Sequence, residues 1–220
     1  MRSTWDALAS DPDVFVGDPA RGEDELDALF GRLGGDPRGG TCVEVGCGPG
    51  RMTKFLARRF DRVVAVDVSP AMLAQARASV PDPNVEFRQV GGERLDSVGD
   101  DLADVVVCYL VLQHLPSRDV VVRYFAEFAR VLKKTGQAYV QLPLLTPGPR
   151  PLLWRALRSV AVPLTSFRGP TSSAAFRGFR LTPDELEAAL QRARLRVVAR
   201  TSEDAPYRYS RDVFLRLERG

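Results

Sequence analysis

The stretch "CVEVGCGPGR", residues 42–51, combines an apolar run, an acidic side chain and three glycines. The glycines, Gly46, Gly48 and Gly50, permit positive φ angles and let a ligand approach the backbone closely. Glu44 lies inside the apolar run, where a carboxylate cannot remain without a partner. The pattern predicts a bend that binds a ligand through its backbone, beside an acid that either offsets positive charge on the ligand or serves a purely structural role.

A second acid and the single histidine stand at the ends of later apolar runs. Asp67 closes "RVVAVD", 17 residues after Gly50, and a carboxylate in that place can accept hydrogen bonds from both hydroxyls of a ribose. The alternative role for Asp67 is to cap the helix that begins at Ser69 and Pro70. His114, in "LQHLP", is either a general base for an acceptor hydroxyl or a group that positions structure or substrate.

The apolar runs that carry these residues alternate with helical patterns, and they read as continuous hydrophobic segments. Such alternation is typical of a parallel sheet that is covered on both faces. We therefore predict an α/β fold with a doubly wound, mostly parallel, seven-stranded sheet and helices on both faces. The predicted strands are "TCVEV", "RVVAVDV", "NVEFRQV", "ADVVVCYL", "QAYVQLP", "RLRVVAR" and "RDVFLRLER". The predicted helices are 4–10, "GEDELDALFGRLG", "RMTKFLARRF", "PAMLAQARASV", 117–133, "LLWRALRSVAV" and "TPDELEAALQRA", with a short helix or loop at 93–98.

The continuous alternation of strands and helices predicts one domain over residues 1–220. Residues 1–39 form a helical cap and residues 40–142 the ligand-binding core. The proline-rich segment "PLLTPGPRP" opens an insertion at 143–180, which we expect to lie over the sheet as a lid. Residues 181–220 return as a helix and two strands of the sheet.

Composition restricts the class of protein. Of 220 residues, 45% are hydrophobic and 27% charged, as in a globular domain. Three cysteines and one histidine are too few for a Cys/His zinc site, and we expect no bound metal. We expect the cysteines to be reduced and the protein to be cytoplasmic, without a membrane-spanning segment. A net charge of +3 is too weak to predict nucleic-acid binding. Residues 150–220 nevertheless hold 14 Arg against 7 acidic residues. These arginines are either solvated or bind an anionic substrate.

The glycine spacing departs from the G-x-G-x-x-G of dinucleotide-binding turns. Instead, "VEVGCGPGR" followed by "VVAVDVSPAML" is similar to the first motif and second strand of class I S-adenosylmethionine (SAM)-dependent methyltransferases. "ADVVVCYLVLQHLP" and "FARVLKKTGQAYVQLP" resemble the fourth strand, fourth helix and fifth strand of that family, so the resemblance spans about residues 40–142. It implies a Rossmann-like fold, SAM as cofactor, and methyl transfer to a small molecule, as in secondary metabolism.

The resemblance also implies roles for individual residues. Val68 and Met72 would pack on the adenine, although Met72 also suits an ordinary core position. The Cys108 carbonyl would receive the methionine ammonium, and Tyr109 would lie beside it as a second candidate catalytic residue. Many relatives carry Gly-Asp after the third strand, and that Asp binds the adenine amino group. This chain has "QVGGERL" there, so the acid is either missing or displaced to Glu93. The implied cofactor-binding set is Glu44, Gly46, Cys47, Gly48, Gly50, Arg51, Asp67, Val68, Met72, Gly92, Glu93 and Cys108, with Arg51 facing either the SAM carboxylate or solvent.

The acceptor is less constrained by the sequence. Trp154, Arg155, Phe176 and Arg180 in the insertion are candidate substrate-binding residues for an anionic or aromatic small molecule, the alternative being simple packing on the sheet. The N-P-P-Y-type tetrapeptide of enzymes that methylate amide nitrogens is absent, which favours an oxygen or nitrogen of a small molecule over DNA. Three alternatives stay open: a SAM enzyme that does not transfer methyl, a non-catalytic SAM-binding subunit, and an NAD-dependent oxidoreductase, which the glycine spacing opposes.

Overall fold

The computed structural model describes residues 1–10, 21–165 and 178–220, and its central feature is a single seven-stranded sheet. The strands lie close to the predicted positions because each is a short β-branched run between turn residues. Their bounds are β1 (Thr41–Val45), β2 (Arg62–Asp67), β3 (Val85–Gln89), β4 (Ala103–Cys108), β5 (Leu132–Leu145), β6 (Leu195–Asp204) and β7 (Ser210–Arg219).

The strand order in the sheet is β3-β2-β1-β4-β5-β7-β6. The pairs β1–β2, β2–β3, β1–β4 and β4–β5 are parallel, whereas β7 runs antiparallel to both β5 and β6. The order reverses direction between β1 and β4, and ligands of such sheets bind outside the carboxyl ends of the strands at that point. The doubly wound, mostly parallel sheet predicted from the sequence is confirmed.

Seven α-helices and one 3₁₀ turn are described around the sheet. The helix after β2 begins as predicted: Ser69 is its N-cap and accepts a hydrogen bond from the Met72 amide, and Pro70 occupies the first turn. The bounds are α1 (Arg2–Leu8), α2 (Gly22–Arg32), α3 (Thr53–Ala57), α4 (Pro70–Ser79), α5 (Arg118–Val131), α6 (Pro149–Thr165) and α7 (Pro183–Ala193), with the 3₁₀ turn at Leu112–His114.

Two hydrophobic clusters cover the two faces of the sheet, because successive side chains of a strand point to opposite faces. In β2, Val64 and Val66 join the cluster beneath α5 and α7, whereas Val63 and Ala65 join the cluster beneath α2 and α3. All four are fully buried. Burial on both faces explains why the strands read as uninterrupted apolar runs.

Among the element boundaries that differ from the prediction, two lie at the glycine turn and at the start of the insertion. The helix expected over "RMTKFLARRF" is only Thr53–Ala57, because the turn with positive φ at Gly48 and Gly50 continues through residue 52 before helical geometry is reached. Strand β5 runs to Leu145, past the expected start of the insertion at residue 143. Its last residues pair with β7 in register, which holds even Pro143 in the sheet.

Candidate cofactor and substrate site

The glycine turn after β1 adopts the backbone conformation that its sequence predicts. Gly46 and Gly48 have φ angles of 72° and 53°, and the Gly46 amide donates a 2.8 Å hydrogen bond to the Val66 carbonyl of β2. A Cβ at Gly46 would lie 2.4 Å from Val111, so only glycine fits. Gly50 has a different function: a Cβ there would lie 2.9 Å from Val80 at the end of α4, so this glycine permits helix packing.

Asp67, at the end of β2, is held by the turn itself. Its Oδ2 accepts a 2.9 Å hydrogen bond from the Gly48 amide and its Oδ1 a 2.9 Å hydrogen bond from the Ser69 amide. Each carboxylate oxygen retains a second lone pair that can accept from a ligand hydroxyl. Burial raises the pKa of Asp67 above its usual value, although the backbone hydrogen bonds oppose that rise. Capping of α4 falls to Ser69 rather than to Asp67.

Glu44 is the buried acid of β1, with only 4% of its surface exposed. Its Oε2 accepts a 2.6 Å hydrogen bond from Thr53 Oγ1 at the start of α3. Burial raises the pKa of Glu44 to about 7, against the opposing effects of the Thr53 hydrogen bond and of the nearby Arg51 charge. A carboxyl with this pKa ionises readily when a cation binds beside it.

Arg51 is 7% exposed, so the alternative of a solvent-facing side chain is wrong. Its Nη1 forms a 2.5 Å ion pair with Glu25 of α2. Within the described part of the chain its buried Nε finds no hydrogen-bond acceptor. A buried donor left in this way is costly, and an anionic ligand group at this position would satisfy it.

A cavity at the carboxyl ends of β1, β2 and β4 brings most of the predicted site residues together. Those that line it are Glu44, Gly46, Cys47, Gly48, Arg51, Asp67, Val68, Met72, Gly92, Tyr109 and His114. Three predicted cofactor residues, Gly50, Glu93 and Cys108, are not in its lining. Cys108 is completely buried, and its neighbours Val107 and Tyr109 form the wall in its place.

The loop after β3 reaches the cavity through its backbone and not through an acid. The carbonyl of Gly92 accepts a 3.3 Å hydrogen bond from the hydroxyl of Tyr124, and both residues line the cavity. The Glu93 side chain is 64% exposed and pairs with Arg123 at 2.6 Å. Glu93 therefore points away from the position where adenine recognition was expected of it.

Helix α1, within the helical cap expected over residues 1–39, covers this cavity, although no site residue was predicted in that helix. Met1 and Trp5 are part of the lining, and Asp6 accepts a 2.5 Å hydrogen bond from the Ser69 hydroxyl. Gln75 of α4 donates a 2.7 Å hydrogen bond to the Ala9 carbonyl. The described parts of the insertion contribute nothing to the lining, so α1 occupies the place expected of the lid.

His114 and Tyr109 follow β4 in the chain, and both line the cavity. The His114 ring meets the Trp5 ring edge-on, with centroids 4.9 Å apart. The Gln113 amide nitrogen lies 3.1 Å from Nε2 of His114, and since an amide nitrogen only donates, Nε2 is the acceptor. Gln113 was missed, although its position beside the histidine in "LQHLP" was a usable signal. Burial raises the pKa of Tyr109, which keeps its hydroxyl protonated near neutral pH.

The candidate substrate residues are in a second cavity of about 260 Å³. Trp154, Arg155 and Arg180 line it together, whereas Phe176 lies outside the described residues. Arg155 forms a 2.6 Å ion pair with Glu185, and Trp154 packs edge-on against Tyr209 with centroids 6.1 Å apart. Packing and cavity lining, which the sequence presented as alternatives, thus coexist in these side chains.

Two features are absent from the described residues, 1–10, 21–165 and 178–220. No group of three or more His, Cys, Asp or Glu side chains there could hold a metal ion. In the same residues, no helix combines the length and the apolar character required to cross a bilayer.

Comparison with known sequences adds to this geometry. A family model described as a methyltransferase domain matches residues 43–140. A ubiquinone biosynthesis O-methyltransferase of Xanthomonas oryzae pv. oryzae is 28% identical over 195 residues, which are 88% of this chain and 75% of that protein. An N-demethylindolmycin N-methyltransferase of Streptomyces griseus is 30% identical over 109 residues, 49% of this chain and 44% of its own.

Solved structures share the fold at low sequence identity. A SAM-dependent methyltransferase of Leishmania major superposes with a TM-score of 0.70 at 13% identity, covering 98% of this chain and 80% of its own. The geranyl diphosphate C-methyltransferase of Streptomyces coelicolor, solved with S-adenosyl-L-homocysteine (SAH), gives 0.67 at 15% identity, with 90% and 79% covered. These structural likenesses show the fold. The methyltransferase family model over residues 43–140 and the methyltransferase relatives identify the chain as a member of the class I SAM-dependent methyltransferases, with SAM as its cofactor.

Proposed function

We propose that this enzyme methylates an oxygen or nitrogen of a small molecule, with positioning of the acceptor as the main source of rate. The observation that carries the proposal is the cavity in which the glycine turn, Asp67, Tyr109 and His114 meet. Relatives named as an O-methyltransferase and an N-methyltransferase support an acceptor of this kind.

The residues present fit the cofactor. Asp67 has lone pairs left for the ribose hydroxyls, and Glu44 places a titratable carboxyl where the ammonium of the amino-acid end is expected. The buried Nε of Arg51, which has no acceptor among the described residues, suits the carboxylate of the same end. Val68 and Met72 supply an apolar wall for the adenine. When bound, SAM supplies a methyl group on a sulfonium, a carbon already activated for displacement.

The chain's own residues then have two tasks. Helix α1, with Met1 and Trp5 over the cavity, excludes water and holds the acceptor in place, and orientation of this kind supplies effective molarities of about 10⁵ M or more. An acceptor hydroxyl must also lose its proton, and the neutral His114 imidazole receives it when the hydroxyl replaces the Gln113 amide as the hydrogen-bond donor to Nε2. Tyr109, protonated, donates a hydrogen bond to the acceptor.

The test is a screen with methyl-labelled SAM against phenols, amines and acids. We expect label to appear in an acceptor. For a hydroxyl acceptor, His114→Ala should lower kcat by about 10²- to 10⁴-fold, the usual contribution of a general base. Glu93→Gln, on an exposed side chain outside the cavity, is the matched control and should leave kcat unchanged. Label that stays in SAM with every acceptor would refute the proposal, and a fully active His114→Ala variant would remove the base.

A further inference from the structure

The second cavity is lined by residues from three places in the chain. Pro116–Arg118 begin α5, 154–162 belong to α6, and Gly178–Arg180 end the insertion. Leu115 lines the cofactor cavity and Pro116 lines the second one. Their Cα atoms are about 3.8 Å apart across a trans peptide. The two cavities are therefore neighbours on a single loop, the one that also carries His114.

The charge of the second cavity is positive. Four arginines line it, Arg118, Arg155, Arg158 and Arg180, and no carboxylate is among the described lining residues. Glu185 lies behind the wall and is shared by two of them, at 2.6 Å from Arg155 and 3.4 Å from Arg118. Asp119 also lies 3.9 Å from Arg118, and the charge of Asp212 acts on Arg180. All three acids lie outside the described lining, so the charged groups of that lining are arginines alone, in a setting where partial burial strengthens ionic interactions.

The walls between the arginines are aromatic and apolar. The Arg158 guanidinium lies over the Trp154 ring at 5.1 Å, and that of Arg155 over the Phe179 ring at 5.1 Å. Val162 closes the wall along α6 and is 6% exposed. An aromatic ring can pack on these surfaces while an oxyanion on that ring meets a guanidinium, which matches carboxylate and phosphate geometry in a bidentate manner.

We infer that the second cavity binds the far end of the methyl acceptor, and that the acceptor is an aromatic molecule bearing an oxyanion, a carboxylate or a phosphate. The inference deepens the proposed function, and it rests on that function in one respect: the molecule that binds here is identified as the methyl acceptor. The binding of the oxyanion itself requires no methyl transfer. Residues 113–115 then face the reacting end of the molecule, and Arg118 and Arg158 face its charged end.

The two tryptophans make the two cavities separately observable, because Trp5 lines the first and Trp154 the second. Titration of the Trp154→Phe protein with SAH reports on the cofactor cavity. Titration of the Trp5→Phe protein with sodium benzoate and with phenyl phosphate reports on the second cavity, with benzyl alcohol as the neutral probe. A loss of SAH binding alone counts against the proposed function, and a loss of oxyanion binding alone counts against this inference.

We expect benzoate, phenyl phosphate or both to change Trp154 emission saturably and to bind at least tenfold more tightly than benzyl alcohol. Arg158→Gln should weaken that binding by about tenfold or more, the range for hydrogen bonds to charged groups. Arg118→Gln, on a 39% exposed side chain, is a second variant with low risk to folding, and a smaller loss of the same sign is expected. Arg200→Gln, on a β6 arginine paired with Glu187 outside the cavity, is the control.

Three results would overturn the inference: no saturable response to either oxyanion, equal binding of benzyl alcohol, or oxyanion binding that neither Arg158→Gln nor Arg118→Gln weakens.

Discussion

Replacement of Glu44 by glutamine tests the electrostatics of the cofactor cavity directly. The substitution keeps the shape of the side chain and an oxygen that can accept from Thr53 Oγ1, while it removes the titratable proton. In the folded protein the pKa of Glu44 is raised from 4.5 to about 7, chiefly by burial. That rise corresponds to about 3 kcal/mol of free energy between the two protonation states.

The first consequence concerns stability without ligand. Since the folded pKa lies above the unfolded one, the folded state binds the extra proton, and stability falls as pH rises from 4.5 through about 7. We expect Glu44→Gln to exceed wild type in free energy of unfolding by up to about 3 kcal/mol at pH 8, with the difference vanishing below pH 4.5. Denaturant titrations at several pH values measure it.

The second consequence concerns SAM itself. A cationic ammonium beside Glu44 favours the ionised carboxylate, so SAM binding releases a proton. With a pKa of about 7, the apparent affinity for SAM should rise about tenfold between pH 5.5 and 7.0. In that range the α-amino group of SAM stays largely protonated. In Glu44→Gln this rise should disappear, while any contribution from Asp67 remains in both proteins.

Calorimetry in two buffers of different ionisation enthalpy measures both the affinity and the released proton. An unaltered pH slope in Glu44→Gln, or binding to wild type without proton release at pH 6, would show that the carboxyl does not meet the cation.

Other predictions follow from single contacts. Asp67→Asn should weaken SAH binding by about 10- to 100-fold in calorimetry, because it removes the charged acceptor of the ribose hydroxyls; an unchanged dissociation constant would contradict that role. Gly178→Ala should lower the melting temperature, because φ is 58° and a Cβ there would sit 1.7 Å from a backbone carbonyl oxygen. Its control, Gly31→Ala in α2, meets no atom within 4 Å and should be neutral or stabilising by about 0.5–1 kcal/mol; equal melting points would refute the steric argument. SAH should change the emission of Trp5 in the Trp154→Phe protein; SAH binding that calorimetry detects without a change in Trp5 emission would show that α1 does not touch the cofactor.

Local patterns accounted for the sheet and for the centre of the cofactor cavity. The β-branched runs place Glu44 and Asp67 at the ends of β1 and β2, and a parallel sheet necessarily brings those ends to one edge. The positive φ angles at Gly46 and Gly48 follow from residue type and spacing alone. These features depend on interactions between near neighbours in the chain or on the regular geometry of a strand pair, which a sequence records.

The direction of individual side chains and the partners of α1 were decided by the tertiary structure. Glu93 turns outward to an arginine of α5, and Gly50 faces α4 instead of the cavity. Trp5 reaches His114, more than a hundred residues further along the chain, only because α1 docks on α4 through Asp6. The sequence by itself determined the strand ends and the turn that form the proposed cofactor site, since those follow from local backbone preferences. What covers that site, and the arginine-lined cavity beside it, depend on packing between distant segments, for which no local pattern exists.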